Sequence, residues 1–211
     1  MKTLINVILS LCVIGLIYIC YGSIMGPINF DKEKTLRESE IKTRLIDIRK
    51  AEVEFAKVNK GRYTASFDTL ISFVKSAKLP FIRKEGVLTD DQLEAGMTEA
   101  KAVKLGLIVR DTTWIAVKDT IFAKGFNADS LCYVPYGNGT KFELETNDSQ
   151  KTKSGAPIHL FEARTPFNVY LQGINKQELI NLNDTQKKLN KYQGLKVGDV
   201  QNPNNNAGNW E

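Results

Sequence analysis

The side chains able to do acid, base or nucleophilic chemistry are few and scattered. His159 is the single histidine, and it sits in the apolar run Ile158-His159-Leu160-Phe161. A general base needs a nucleophile within hydrogen-bond reach, and no Gly-x-Ser-x-Gly elbow accompanies it. The setting reads as a strand histidine. Cys132 stands beside Tyr133 in a β-rich run and reads as a buried thiol. The other cysteines, Cys12 and Cys20, fall in the N-terminal apolar segment, which leaves Cys132 no evident disulfide mate. One His and three Cys build neither a zinc cage nor a disulfide framework. Glu52 and Glu54 could pass for a carboxylate pair, yet two residues apart on a helix they point about 200° apart. They read as solvated helix charges, or Glu52 makes one inter-helix contact. Gly137-Asn138-Gly139 lacks the lysine and helix of a phosphate loop. The sequence therefore assigns no catalytic, cofactor-binding or metal-ligating residue, and no cofactor is expected.

A different chemistry is suggested by aspartate. Asp is followed by Ser or Thr at six of eleven positions, although Ser and Thr total 24 of 211 residues; about one such pair is expected from composition. Four of the six continue with an apolar residue or Thr: Asp68-Thr69-Leu70, Asp111-Thr112-Thr113, Asp119-Thr120-Ile121 and Asp129-Ser130-Leu131. The pattern resembles the Asp-Ser/Thr-apolar acceptor for periplasmic O-glycosylation in one group of Gram-negative bacteria, which makes Thr69, Thr112, Thr120 and Ser130 candidate glycan sites. Turn and helix-cap chemistry accounts for the same pairs, because these side chains bond nearby backbone N–H groups.

The elements that position these residues begin with an anchor. Leu4 to Met25 is 22 residues without a charge. A helix of that length spans about 33 Å, enough for a hydrocarbon core of about 30 Å. Tyr18 and Tyr21 sit near one end, where amphipathic rings favour the interface. Gly26-Pro27 is expected to stop the helix. A cleaved signal peptide is the alternative, with Lys2 as its charged region, but the apolar run is longer than the usual 7–15 residues or so. Basic residues are denser after the span (Lys32, Lys34, Arg37, Lys42, Arg44) than before it. A literal charge count would hold the large domain in the cytoplasm, whereas the glycan-acceptor pattern points outward. The expected location is a bacterial inner membrane, crossed once, with the C-terminal domain in the periplasm.

Composition beyond the anchor is that of one ordinary globular domain, with 42% hydrophobic and 25% charged residues overall. Net charge is +5, but Lys and Arg are interleaved with acids and no unopposed basic run appears, so nucleic acid is not an expected partner. Residues 31–60 read as an amphipathic helix with Ile41, Leu45, Ile48, Phe55 and Val58 on one stripe. Glu33–Arg37, Glu38–Lys42 and Glu40–Arg44 are spaced as favourable i,i+4 pairs. Gly61 caps this helix, and a short helix follows from Ser66 through Lys75. Leu79–Arg83 is extended, and a third helix runs from a Thr89 cap to Gly106. Strands are expected at Thr113–Val117, Leu131–Val134, Phe142–Glu145 and Ile158–Ala163, with a hairpin turn at Tyr136–Thr140. Asn175 caps a last helix, Lys176 to Tyr192. Gln201 to Glu211 is Asn-rich and expected to be loose, with Trp210 docking in a groove of its own chain or of a partner. The fold class is α+β: a transmembrane helix, a long amphipathic helix and smaller helices on an antiparallel sheet. The divisions are an anchor over 1–26, one ectodomain over 27–194 and a tail over 195–211.

Leu45 to Phe55, then Asn59-Lys60-Gly61-Arg62-Tyr63 and Phe67-Asp68-Thr69-Leu70, resembles the type IV pilin and pseudopilin pattern. That resemblance implies a hydrophobic helix running into an amphipathic one, a Gly-Arg-Tyr-type turn, a short helix and a small antiparallel sheet. The anchor, the amphipathic helix and the absence of a catalytic constellation further point to a non-enzymatic role in assembling or scaffolding a surface or secretion complex. Partners would then be the lipid bilayer, and envelope proteins or further copies of the chain. Ile41, Leu45, Ile48, Phe55 and Trp210 are the candidate contacts. An anchored enzyme with dispersed acidic residues and a cytoplasm-facing adaptor are the competing readings.

Overall fold

The computed structural model describes residues 2–94, 96–123, 125–152 and 154–211, and it is α+β. It begins with one helix, α1, Lys2–Val58, 57 residues long, or about 86 Å at the standard rise. The stop expected at Gly26-Pro27 does not occur: Pro27 lies inside α1. A proline removes one N–H and crowds the carbonyl four residues back, at a cost of about 3 kcal/mol. Beyond it, Phe30, Ile41, Leu45 and Ile48 are buried, and side chains of that size contribute roughly 6–12 kcal/mol between them. The packing outweighs the kink, so the helix continues.

The chain divides into two compact units, up to Phe67 together with Ser130–Glu211, and Asp68–Asp129. The single ectodomain expected over 27–194 is thus interrupted by a second unit. In the first unit a three-stranded antiparallel sheet has the order β3-β4-β5, from β3 (Glu143–Lys151), β4 (Pro157–Pro166) and β5 (Gly194–Gly198). The second half of α1 packs against β4 and β5. Phe161, Ala163 and Thr165 on β4 and Val197 on β5 are buried, and the Tyr63 ring lies 4.8 Å from that of Phe161. A short α6 (Phe167–Tyr170) leads to α7 (Lys176–Lys188), whose cap is the expected one: the Asn175 side chain accepts from the N–H groups of Gln177 and Glu178.

Several expectations fail here for local reasons. Leu131–Val134 is not a strand. Residues Ala128–Cys132 form a 3-10 turn, because the Asn127 carbonyl oxygen of the side chain captures the Asp129 N–H and Arg44 donates to the Ser130 carbonyl and hydroxyl. The apolar residues Leu131, Cys132 and Val134 still go to the core. The turn at Tyr136–Thr140 does close, with Val134 N–H donating to the Thr140 carbonyl at 2.9 Å and Asn138 and Gly139 at positive φ. Glu33–Arg37 and Glu38–Lys42 pair at 2.9 and 3.7 Å. Glu40 instead accepts from the Tyr136 hydroxyl at 2.7 Å. The C-terminal segment is ordered rather than loose: Val197 and Gly208 form a β-bridge, and Gly198 N–H donates to the Ala207 carbonyl. Residues 195–198, assigned to a tail by sequence, belong to β5.

The second unit holds α2 (Phe67–Ser76), β1 (Lys78–Glu85), α3 (Asp90–Glu94), α4 (Glu99–Lys104), β2 (Val109–Ala116) and α5 (Val117–Ile121). Strands β1 and β2 pair antiparallel from Lys78↔Ala116 to Glu85↔Val109. Glu99 links Lys84 and Arg110 across them. The helix expected from Thr89 to Gly106 is two helices, since Gly96 at φ 71° turns the chain out of the first. Gly86 has φ 98°, and a Cβ there would lie 2.4 Å from the Leu107 carbonyl, so glycine is required.

A continuous α1 fixes a distance. Spin labels on Cys20 and on a Ser39→Cys substitution, both at exposed positions, are expected about 28 Å apart with a narrow distribution when the other cysteines are replaced. A shorter, broad distribution measured by pulsed electron resonance would indicate a break at Pro27.

Candidate functional site

The candidate site is a cleft of about 500 Å³ in the first unit. One wall is α1, contributing Lys34, Glu38 and Lys42. Leu182 and Gln186 come from α7, and Asn190, Lys191 and Tyr192 from the loop that follows it. β5 supplies Leu195 and Lys196, and Trp210 closes the end. The loop turns back because Asn190 takes a left-handed conformation, φ 52°, one of the few side chains that tolerates it. Trp210 is held by its neighbour: Asn209 accepts from Lys196 N–H and donates to the Gly194 carbonyl, and Asn209 N–H bonds the Lys196 carbonyl at 3.0 Å. The indole lies over Gly208, where a Cβ would come within 2.6 Å of the ring.

Four lysines line the cleft against one glutamate. Lys42 reaches Glu38, and Lys34 is 4.0 Å from exposed Asp31. Lys196 is held by Glu162 at 2.9 Å and Asp199 at 3.1 Å. Burial alone would lower its ammonium, but these two carboxylates outweigh burial and hold it above its usual range. Burial pushes the Tyr192 hydroxyl up to about 12, with the Glu143 charge adding to it; the ring is therefore neutral at any physiological pH. Glu162 also accepts from Arg164, which in turn binds Glu143 and Glu145 at 2.7 and 2.6 Å. This network braces the sheet from which the cleft is built.

Of the residues singled out by sequence, Ile41, Leu45 and Ile48 are fully buried. They are spent on the chain's own core and are not free for a partner. Phe55 is half-buried beside a groove shared with Val58, Asn59, Lys60 and Arg62. Trp210 docks on its own chain. Thr69, Thr112 and Thr120 are exposed on α2, β2 and α5, although the Thr120 hydroxyl donates to the Ala116 carbonyl. Ser130 is half-buried and its hydroxyl accepts from Arg44 at 2.6 Å, which makes it the least accessible of the four glycan candidates. His159 Nδ1 lies 2.7 Å from Asp148 on the adjacent strand. Among the described residues no group of three or more His, Cys, Asp or Glu is placed to hold a metal.

Glu52, read from the sequence as a solvated helix charge or one inter-helix contact, is placed otherwise. It is neither solvated nor part of a pair but fully buried. One oxygen accepts from Thr64 N–H at 3.1 Å, and the other has no hydrogen-bond partner among the described residues. The Glu sits where the 3.6-residue period of the buried stripe passes, four residues after Ile48; that periodicity was the available signal. Its carboxyl group tethers the Gly61–Thr64 turn back onto α1. Burial pushes the carboxyl up to about 8, with the Thr64 bond pulling weakly the other way.

The chain matches no protein-family model, no curated protein and no solved structure. The cleft and the buried glutamate are therefore interpreted from their own chemistry.

Because folding raises the Glu52 pKa from 4.5 to about 8, the folded state keeps a proton that the unfolded chain releases. Its stability is complete below about pH 4.5, declines as pH rises, and levels off above about pH 8. Glu52→Gln is expected to remove that decline and to stabilise the protein at pH 8 by roughly 2–4 kcal/mol. Denaturant unfolding of the detergent-solubilised chain between pH 5 and 9 checks this; parallel pH profiles for both proteins would contradict it.

Proposed function

We propose that this chain is a single-pass, non-enzymatic scaffold of the bacterial inner membrane, with a pilin-like head in the periplasm that helps assemble a surface or secretion complex. One observation carries the reading: the apolar first part of α1 is exposed, with Leu4, Ile5, Leu9, Leu11, Ile14 and Ile17 each more than half uncovered, while the same helix runs on unbroken into the buried stripe of the head. Such a length of exposed apolar helix is stable only in an apolar solvent. It would be an aggregation hazard on a soluble protein. Continuity also favours retention over cleavage, since Tyr21-Gly22-Ser23, the best available cleavage signal, lies in mid-helix.

The layout of long helix, Gly-Arg-Tyr turn, short helix and small antiparallel sheet supports the pilin-like resemblance. The exposed Thr69, Thr112 and Thr120 support a glycosylated, outward-facing head. Assembly roles fit a rigid rod that couples membrane and head without an evident hinge.

Two measurements test this. The chain is expected to stay in the membrane pellet after alkaline carbonate washing, at its full mass or heavier by a glycan. A cysteine introduced at Ser72 is expected to react in intact spheroplasts with a maleimide that cannot cross membranes. A shortened, soluble chain would overturn the anchor, and labelling only after lysis would reverse the orientation. Native Cys132 is unsuitable for this purpose because it is buried.

A further inference from the structure

We propose that the lysine-lined cleft binds an anionic saccharide of one or two uronic-acid rings, a ligand activity beyond scaffolding. Size is the first argument. About 500 Å³ falls within the range of small-ligand sites and suits a disaccharide rather than a protein helix.

Charge is the second. Lys191 makes no ion pair among the described residues, whereas Lys196 is held by Glu162 and Asp199 and Lys34 and Lys42 face Asp31 and Glu38 at 4.0 and 3.7 Å. A single unmatched ammonium is the charge that one ligand carboxylate would meet. The third argument is the pattern of neutral groups. Trp210 and Tyr192 present flat rings, and the side-chain amides of Gln186 and Asn190 make no hydrogen bonds among the described residues. A sugar ring has an apolar C–H face for an aromatic surface and a rim of hydroxyls for amides, and a uronic acid adds one carboxylate for lysine.

An acidic peptide fits less well. Extended peptides bind sheets by pairing with an open edge, and the edge of β5 at this cleft is already bridged by Gly208. The tail that supplies Trp210 is fixed by three hydrogen bonds through Asn209, so the aromatic wall is preorganised and binding spends little on ordering it. The cleft is also close to the anchor. Lys34 is nine residues past Met25, or about 14 Å along α1, and the start of α7 reaches the same level, with Asn175 3.4 Å from a Cβ built on Gly26. The same chemistry could therefore be met as a free polymer or as the headgroup of a membrane glycolipid.

Calorimetric titration of the full-length chain in neutral detergent tests the site, using tetragalacturonate, neutral cellotetraose and tetraglutamate. The expected result is saturable binding of one tetragalacturonate, at least tenfold weaker for cellotetraose and tetraglutamate. Lys191→Glu and Trp210→Ala are each expected to weaken it at least tenfold, whereas Lys104→Glu, in the other unit, has the same net charge as Lys191→Glu and leaves binding unchanged. If Trp210→Ala fails to fold, Lys191→Glu decides, since that exposed side chain has no ion-pair partner among the described residues. Absence of tetragalacturonate binding, equal binding of cellotetraose, equal or tighter binding of tetraglutamate, or insensitivity to Lys191→Glu overturns the proposal. A second arm displays glucuronosyl diacylglycerol in nanodiscs of neutral lipid. Once the first arm has shown binding, tighter capture there assigns the ligand to the membrane and no gain assigns it to free polymer. Because the first arm needs no bilayer, its failure leaves the anchor reading standing.

Discussion

One helix carries two kinds of surface, and everything else in the molecule follows from how it does so. Along its first part α1 turns apolar side chains outward in every direction, a surface suited to an apolar solvent. Beyond Phe30 the same helix keeps a narrow apolar stripe and covers its other faces with charge. The change of surface falls near Gly26-Pro27, where a helix is weakest. It holds there because the sheet grips the helix soon afterwards, and because the start of α7 at Asn175 packs close to Gly26 itself.

The head is organised around that grip. β4 and β5 supply the surface, and the stripe from Phe30 to Ala56 lies on it. At the far end Glu52 reaches the backbone of Thr64 and draws the chain back toward α1 as it leaves the helix. At the near end Arg37 donates to the carbonyls of Tyr170 and Gln172, tying α6 to the same rod. Polar contacts thus pin both ends of an apolar interface. That division is physically sensible: burial supplies the energy without direction, and hydrogen bonds fix the register. The cleft is lined by α1, α7 and β5 together.

Much of this was legible in the residues, and the reasons it was or was not are specific. The uncharged run from Leu4, the three-and-four spacing of Ile41, Leu45 and Ile48, the cap at Asn175 and the turn at Tyr136–Thr140 are local signals, and each appears where expected. Gly26-Pro27 misled because a local breaker was weighed without the tertiary packing that overrides it. Leu131–Val134 misled in the same way: β-branched and aromatic content marked burial, but Asn127 and Arg44 chose the backbone. The division at Asp68–Asp129 and the ordering of the C-terminal segment depend on contacts between distant residues, which no short window contains. The candidate site was the least legible part. Trp210 stood out alone, whereas Lys34, Lys191 and Tyr192 are unremarkable until folding brings them to one cleft.

The joining of Arg37 to Tyr170 across 133 residues has a consequence for biogenesis. A chain emerging from the ribosome exposes the α1 stripe long before β4 and β5 exist to cover it. The helix is made first, and its apolar flank must wait through the synthesis of an intervening, separately compact unit. Distant pairings of this sort are slow and prone to wrong associations. The vulnerable period of the chain is therefore the interval between synthesis of α1 and closure of the sheet.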